Sequence, residues 1–406
     1  MSQLSTLEVI PGAPAYVGLA PFLRRSIAGE DLRPMAQALL DQANANADDA
    51  ESLMNLALVL QCIGSRDAGL TLLGEALNMK TTYVLPARRQ PTRCRLLMLM
   101  VPGDISTNTP LDCLLEDCDI ELIQYFLHPT VPSLEGLPEH DALFVAISEG
   151  ELYNPLLQWL THALAHYAKP VLNQPSAIAR LSRNAVSAYL QGTPGLFMPE
   201  TVRVGRVALQ RLVTGQTTLQ DISVSLRFPV ILRPLGSQGG RDLEKLESSQ
   251  ELAGYLARVQ AKEFYLANFI DYRGADGLYR KMRIILVDGK PHVAHVGISD
   301  HWMIHYVNAG MYEDAAKREQ EAAFMAGFDD FALRHATVLA EIHRRSGLDY
   351  LCIDCAEMPD GQLFVFEIGN DMVVHAMDPV ELFPYKPPVI ARIVEAFRNM
   401  LLSRLG

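Results

Sequence analysis

The stretch that most constrains this chain runs from Asp349 to His375, DYLCIDCAEMPDGQLFVFEIGNDMVVH. Two β-branched and aromatic runs, Tyr350 to Cys355 and Leu363 to Ile368, flank Pro359-Asp360-Gly361, and the pattern predicts a β-hairpin. With Asp360-Gly361 as a two-residue loop, Pro359 faces Gln362, and counting back along both strands puts Asp354 opposite Glu367. Directly opposed like charges are destabilising, so this pair needs a partner. A divalent cation is a good one: Mg²⁺ takes one or two carboxylates and completes its shell with phosphate oxygens and water. Asn370, just past Gly369, offers a third oxygen. The plainer alternative is a solvent-facing hairpin whose acids keep an edge soluble.

The chain has 406 residues, 49% hydrophobic and 20% charged, a globular composition long enough for two or three domains. A net charge of -12 argues against a general nucleic-acid binder. The N-terminus lacks the basic and apolar pattern of a secretory signal, and no apolar run approaches the ~20 residues needed to span a bilayer. A soluble, cytoplasmic protein without membrane contact is expected. The six cysteines are dispersed, as suits a reducing compartment. Cys352 and Cys355 lie three apart on one strand and point to opposite faces, which disfavours a redox or zinc pair.

Residues 1–92 read as helical. Ser52 to Gly64 and Asp67 to Met79 form two amphipathic segments, with an Asp cap before the first and Gly64-Ser65 between them. Leu53, Leu56, Ala57, Leu60, Gly69, Leu73 and Ala76 follow the spacing of a tetratricopeptide repeat, but only one copy is legible and its Trp and Tyr are absent. This region is the candidate surface for a protein partner. Residues 93–200 alternate strand and helix: Arg95 to Val101, Ile120 to Phe126, Ala142 to Ala146 and Pro170 to Leu172 as strands, Tyr153 to Tyr167 and Ser176 to Leu190 as helices. That is the rhythm of a small open α/β sheet, whose ligands sit at the carboxyl ends of its strands.

In 201–272, Phe228 to Arg233 is a strand followed by a Gly-rich run, Gly236-Ser237-Gln238-Gly239-Gly240, able to cradle phosphate with its backbone N–H groups. A helix at Ser249 to Gln260 and a strand at Glu263 to Ile270 follow. In 273–406, Met282 to Val287 and Pro291 to Val296 form a hairpin turned by Asp288-Gly289, with Arg280, Lys281 and Arg283 at its start. His301 and His305 would share a face if Ile298 to Met311 is helical, a weak metal pattern without a third ligand. Helices are expected at Glu319 to Met325 and Phe331 to Arg345 before the opening hairpin, and at Pro388 to Leu402 after it.

The order of FPVILRPLGSQGG, EFYLANFIDYRGADGLYRKMRIILVDGKP and GLDYLCIDCAEMPDGQLFVFEIGN resembles the ATP-grasp superfamily, nearest the carboxylate–amine ligases related to ribosomal-protein glutamate ligases. The likeness covers about residues 93–400. It implies an α/β fold in which 93–200 precede an α+β lid (201–272) and a C-terminal part (273–406), with ATP and Mg²⁺ between the last two. Arg233 then stands where the family has a phosphate-binding lysine, and Gly236, Ser237, Gln238, Gly239 and Gly240 form the lid loop. Tyr265, Ala267, Asn268 and Phe269 match the segment whose backbone reads adenine, and Asp271 is placed at the ribose. Arg283 meets phosphate or the acyl-phosphate, so Arg283 and Arg233 are the catalytic candidates. Asp354, Glu367 and Asn370 match the magnesium ligands. The family's lysine before the lid has no counterpart beyond Arg183, and the last motif is one residue longer than E-x-N. The activity implied is ATP-dependent coupling of a carboxylate to an amine on a small-molecule or peptide substrate. The alternatives are a phosphotransferase on the same scaffold and a degenerate nucleotide- or partner-binding protein.

Overall fold

The computed structural model describes residues 16–46, 48–237 and 239–406. Four helices come first: Ala20–Ile27, Arg33–Ala45, Ala50–Cys62 and Arg66–Met79. The last two form a tight hairpin crossing at Gly69, where a Cβ would stand 2.8 Å from the carbonyl oxygen of Ala57. The chain was expected to stay helical to residue 92. Instead Thr82–Leu85 is a strand, β1. Its four residues carry too little periodicity to be read as separate from the helix before them. Tyr83 is fully buried there, tilted against Tyr16 at 5.0 Å between ring centroids.

Strands β2 (Cys94–Met100), β3 (Ile120–Phe126), β4 (Ala142–Val145) and β5 (Val171–Leu172) complete the first sheet, ordered β1-β3-β2-β4-β5. All are parallel except β1. Helices cover a parallel sheet on both faces, which is why β2 and β4 read as almost unbroken apolar runs. The segment expected as one helix over Ser176 to Leu190 is two, Pro175–Ile178 and Arg183–Leu190. Ser182, extended at ψ 142°, separates them, so Arg183 opens the second helix.

Next comes β6 (Leu196–Phe197), then β7 (Thr201–Gly205), β8 (Val230–Pro234), β9 (Glu244–Leu246) and β10 (Glu263–Asn268). The last four make an antiparallel sheet ordered β7-β10-β8-β9, with β10 in its interior as its apolar sequence demands. Ser248 caps the helix Ser249–Arg258 that packs on it.

The third sheet is β12-β11-β13-β14-β6, from β11 (Tyr279–Val287), β12 (Lys290–Ser299), β13 (Tyr350–Glu357) and β14 (Leu363–Gly369). Asp288 and Gly289 turn the first hairpin with φ of 49° and 76°, as a primed turn requires. The second hairpin keeps the Asp354–Glu367 pairing by a different route. Its loop has three residues, not two: Met358 N donates to Gln362 O, and Gly361 takes φ 83°. That shifts the register by one. A bulge at Phe366 then shifts it back, since Cys355 faces Val365 while Asp354 faces Glu367. The hairpin is no solvent-facing edge, for every residue from Tyr350 to Ala356 is buried. Its start is pinned to the first sheet by Asn173, which donates through Nδ2 to Tyr350 O and accepts from Tyr350 N. The closing helix, Lys386–Ser403, wedges Ile390, Ile393 and Phe397 between the two sheets.

Ile298 to Met311 is not a helix beyond a single 3₁₀ turn, Tyr306–Asn308, so His301 and His305 share no helical face. Among the described residues no three His, Cys, Asp or Glu side chains group to hold a metal ion. No described helix is long and apolar enough to cross a membrane.

Candidate active site

The site grows from one row across the third sheet. Arg283 on β11 is directly opposite Asp354 on β13, and Asp354 is opposite Glu367 on β14. Strand alternation puts Lys281 on the same face as Arg283, one pair further along. The Arg283 guanidinium donates to both oxygens of Asp354, Nε to Oδ1 at 2.8 Å and Nη2 to Oδ2 at 3.0 Å. The Lys281 ammonium lies 2.6 Å from Oδ2. Burial opposes ionisation of Asp354, yet Arg283 and then Lys281 hold it well below the usual carboxylate range. Glu367 pairs with Arg183. Burial works against its charge too, and Arg183 followed by Lys281 holds it at about 2.

Two cavities meet at this row. The smaller, about 190 Å³, is a slot between the second and third sheets. Its walls are Ile231, Ala267, Phe269, Tyr272, Trp302 and Phe366, and its far end carries Arg183, Arg233, Lys281 and Glu367. The aromatic walls are interlocked: Phe269 meets Trp302 at 5.7 Å and Tyr272 meets Phe366 at 4.9 Å between centroids. Lys245 places its ammonium 4.2 Å from the Phe269 ring centroid. Arg233 is 8% exposed and, among the described residues, bonds the Ser237 hydroxyl and carbonyl oxygens. Burial and the neighbouring Arg183 charge push its pKa down to about 10. A buried cation without a carboxylate hydrogen-bonded to it is costly and suits an anionic ligand. The larger cavity, about 630 Å³, shares Arg183, Met198, Tyr265 and Glu367 with the slot and extends toward the carboxyl end of β4. Asp104, Glu149, Glu151, Glu263 and Asp371 line it, with Arg66 and Lys262.

The residues picked from sequence distribute over both spaces. Arg233, Gly239, Gly240, Tyr265, Ala267, Asn268 and Phe269 line the slot; Gly236 and Ser237 line the larger cavity. Gln238 lies outside the described residues. The Asn268 side chain is spent on the fold, accepting from Arg227 N and donating to Ser225 O. Asp271 lines neither cavity and pairs with Arg273 at the surface. Arg283 stands behind Asp354, facing a third cavity of about 140 Å³ with His295, His375 and Lys386.

For magnesium, the oxygens divide. Asn370 is 1% exposed, and its Oδ1 has no hydrogen-bond partner among the described residues while Nδ2 donates to Ile147 O and Thr109 Oγ1. Asn370 and Glu367 both line the larger cavity. Two such oxygens fit Mg²⁺ arriving with phosphate oxygens and water. Asp354 does not share this geometry, because both its oxygens are engaged by cations and its side chain is 1% exposed.

Sequence reasoning did not commit to Arg183, Lys281, Trp302, Glu149 or Asp371. Lys281 was within reach, being two residues from Arg283 on a strand. Glu149 follows β4 at the carboxyl end of a parallel sheet, where ligands gather. Trp302 and Asp371 sit on loops whose path no periodicity reports.

No family model and no curated protein matches the sequence. Among solved structures, the chain is similar to a RimK-domain ATP-grasp protein from Sphaerobacter thermophilus, with 18% identity and TM-score 0.42, over 77% of this chain and 99% of the other. It is also similar to D-alanine–D-alanine ligase from Bacillus anthracis complexed with ATP (14%, TM-score 0.44, 75% and 99%) and to the VanG D-Ala:D-Ser ligase from Enterococcus faecalis (13%, TM-score 0.45, 75% and 98%).

Proposed function

We propose that this chain is an ATP-dependent ligase that couples a carboxylate to an amine. The observation that carries the proposal is the slot: mostly apolar, aromatic-walled and lined by Arg183, Arg233 and Lys281 beside Glu367. A purine stacks on such walls while its phosphates reach the cationic end. In this reading the backbone of Tyr265 to Phe269 edges the base, and Gly236, Ser237, Gly239 and Gly240 face the phosphates. The larger cavity adjoins the phosphate end, so an acceptor there meets the terminal phosphate directly. Glu149 and Asp371 on its wall have no ion-pair partner among the described residues and suit an amine-bearing substrate.

The chain's residues bind and orient. Arg183, Arg233 and Lys281 take the phosphate charge as it shifts during attack by the substrate carboxylate. Magnesium, held by Glu367 and Asn370, would offset further phosphate charge.

The test is ADP release from ATP in the presence of carboxylate and amine panels. Glu367→Gln is expected to lower that rate at least about tenfold with the fold intact, in line with the loss of one charged contact in a transition state. Turnover unchanged in this variant removes Glu367 from the mechanism. Release that ignores the amine and leaves a stable phosphorylated acid replaces the ligase with a phosphotransferase.

A further inference from the structure

Asp354 and Glu367 are directly opposed on neighbouring strands, and two carboxylates so placed repel unless a positive charge stands between them. The chain supplies that charge itself. Lys281 and Arg283 alternate along β11 on the face that carries both acids, with Arg283 directly opposite Asp354. The arrangement follows from strand register and not from a chance side-chain rotamer. Arg283 takes one oxygen of Asp354 through Nε and the other through Nη2, and Lys281 adds a second contact to that other oxygen at 2.6 Å. Asp354 consequently lines neither the slot nor the larger cavity, whereas Lys281 lines the slot beside Glu367. Its ammonium also stands 5.9 Å from the centroid of Phe366, the bulge residue that sets the register of Glu367. A divalent ion bound to Asp354 would have to displace Lys281 among the charges of Arg183, Arg233 and Arg283.

We propose that the Lys281 ammonium is the cation bridging Asp354 to the phosphate end of the slot, in the place a divalent ion would otherwise occupy. A nucleoside triphosphate then binds the arc of Arg183, Arg233 and Lys281 with little dependence on divalent cation, and any magnesium it brings meets Glu367 and Asn370 alone. The proposal rests on the nucleotide assignment of the slot.

Calorimetric titration of ATP into the full chain, in EDTA and in Mg²⁺, tests it. The wild type is expected to bind in EDTA within about threefold of its affinity in Mg²⁺. Lys281→Met should lose about tenfold in EDTA, the scale of one charge-assisted contact, and recover part of that in Mg²⁺. Lys281→Arg should stay near wild type. Arg283 still pairs Asp354 in the Met variant, so the fold should hold, and its unfolding midpoint verifies this. Wild-type binding that vanishes in EDTA, with Lys281→Met indistinguishable from wild type, overturns the proposal and leaves the nucleotide site standing. Absence of ATP binding under both conditions overturns the nucleotide assignment and this proposal together.

Discussion

At the scale of single residues, the site is an exercise in charge placed where burial opposes it. Arg233 is the clearest case, a guanidinium 8% exposed whose hydrogen bonds among the described residues go to Ser237. Removing that charge relieves a desolvation cost, so Arg233→Met should leave the unfolding midpoint of the ligand-free protein unchanged or raise it by a few degrees. A fall of many degrees in a thermal melt would mean that the arginine is there for the fold. His375 shows a linked effect. Burial first, then Lys386 and Arg283, push its pKa from 6.5 to about 4, against the opposing pull of Asp378. The folded state keeps it neutral where the unfolded chain protonates. Stability should therefore be complete above pH ~6.5 and fall as pH drops toward ~4, by about 2–3 kcal/mol from this group. In denaturant titrations across that window, wild type should lose about 2–3 kcal/mol more stability than His375→Gln as the pH falls. Parallel curves would remove His375 from the acid response.

At the scale of elements, the hairpin shows what a sequence reveals and what it hides. Asp354 opposite Glu367 was legible from strand composition and a Pro-Asp-Gly turn. The three-residue loop and the bulge at Phe366 were not, because both are one-residue choices and their shifts cancel. Partnership across the sheet was legible in part: Arg283 could be picked out, but the pairing of β11 with β13 that sets it against Asp354 is a long-range choice. The split at Ser182 that brings Arg183 to the cleft was hidden by an otherwise continuous helical pattern. The Gly-rich loop after β8 offers a test at this scale. Gly240 has φ 71°, and a Cβ there would stand 2.4 Å from His305 Nε2. Gly240→Ala must strain the backbone by about 1–2 kcal/mol and push the loop off His305. ATP binding should weaken about tenfold with little change in the unfolding midpoint. Unaltered affinity would show that this loop does not close on the ligand.

At the scale of the molecule, function comes from three sheets converging on one cleft. The α/β class follows from apolar runs alternating with amphipathic helices, whereas the strand order β1-β3-β2-β4-β5 is a long-range choice that no local pattern records. The two cavities were not foreseeable, since they arise where β4, the Gly-rich loop after β8 and the second hairpin meet, segments more than 80 residues apart in the chain. The whole carries a net charge of -12, yet the end of the slot gathers Arg183, Arg233 and Lys281. Such local inversion of charge is how an acidic protein admits a polyanion.

The central claim is that this cationic end binds the phosphates of a nucleoside triphosphate. Its most direct measurement is the calorimetric affinity of ATP for wild type and for Arg233→Met in the presence of Mg²⁺. Saturable binding by the wild type, weakened by about 1.5–3 kcal/mol in the variant, is the predicted result. Equal affinities in the two proteins, or no binding of ATP, ADP or GTP by the wild type, would contradict it.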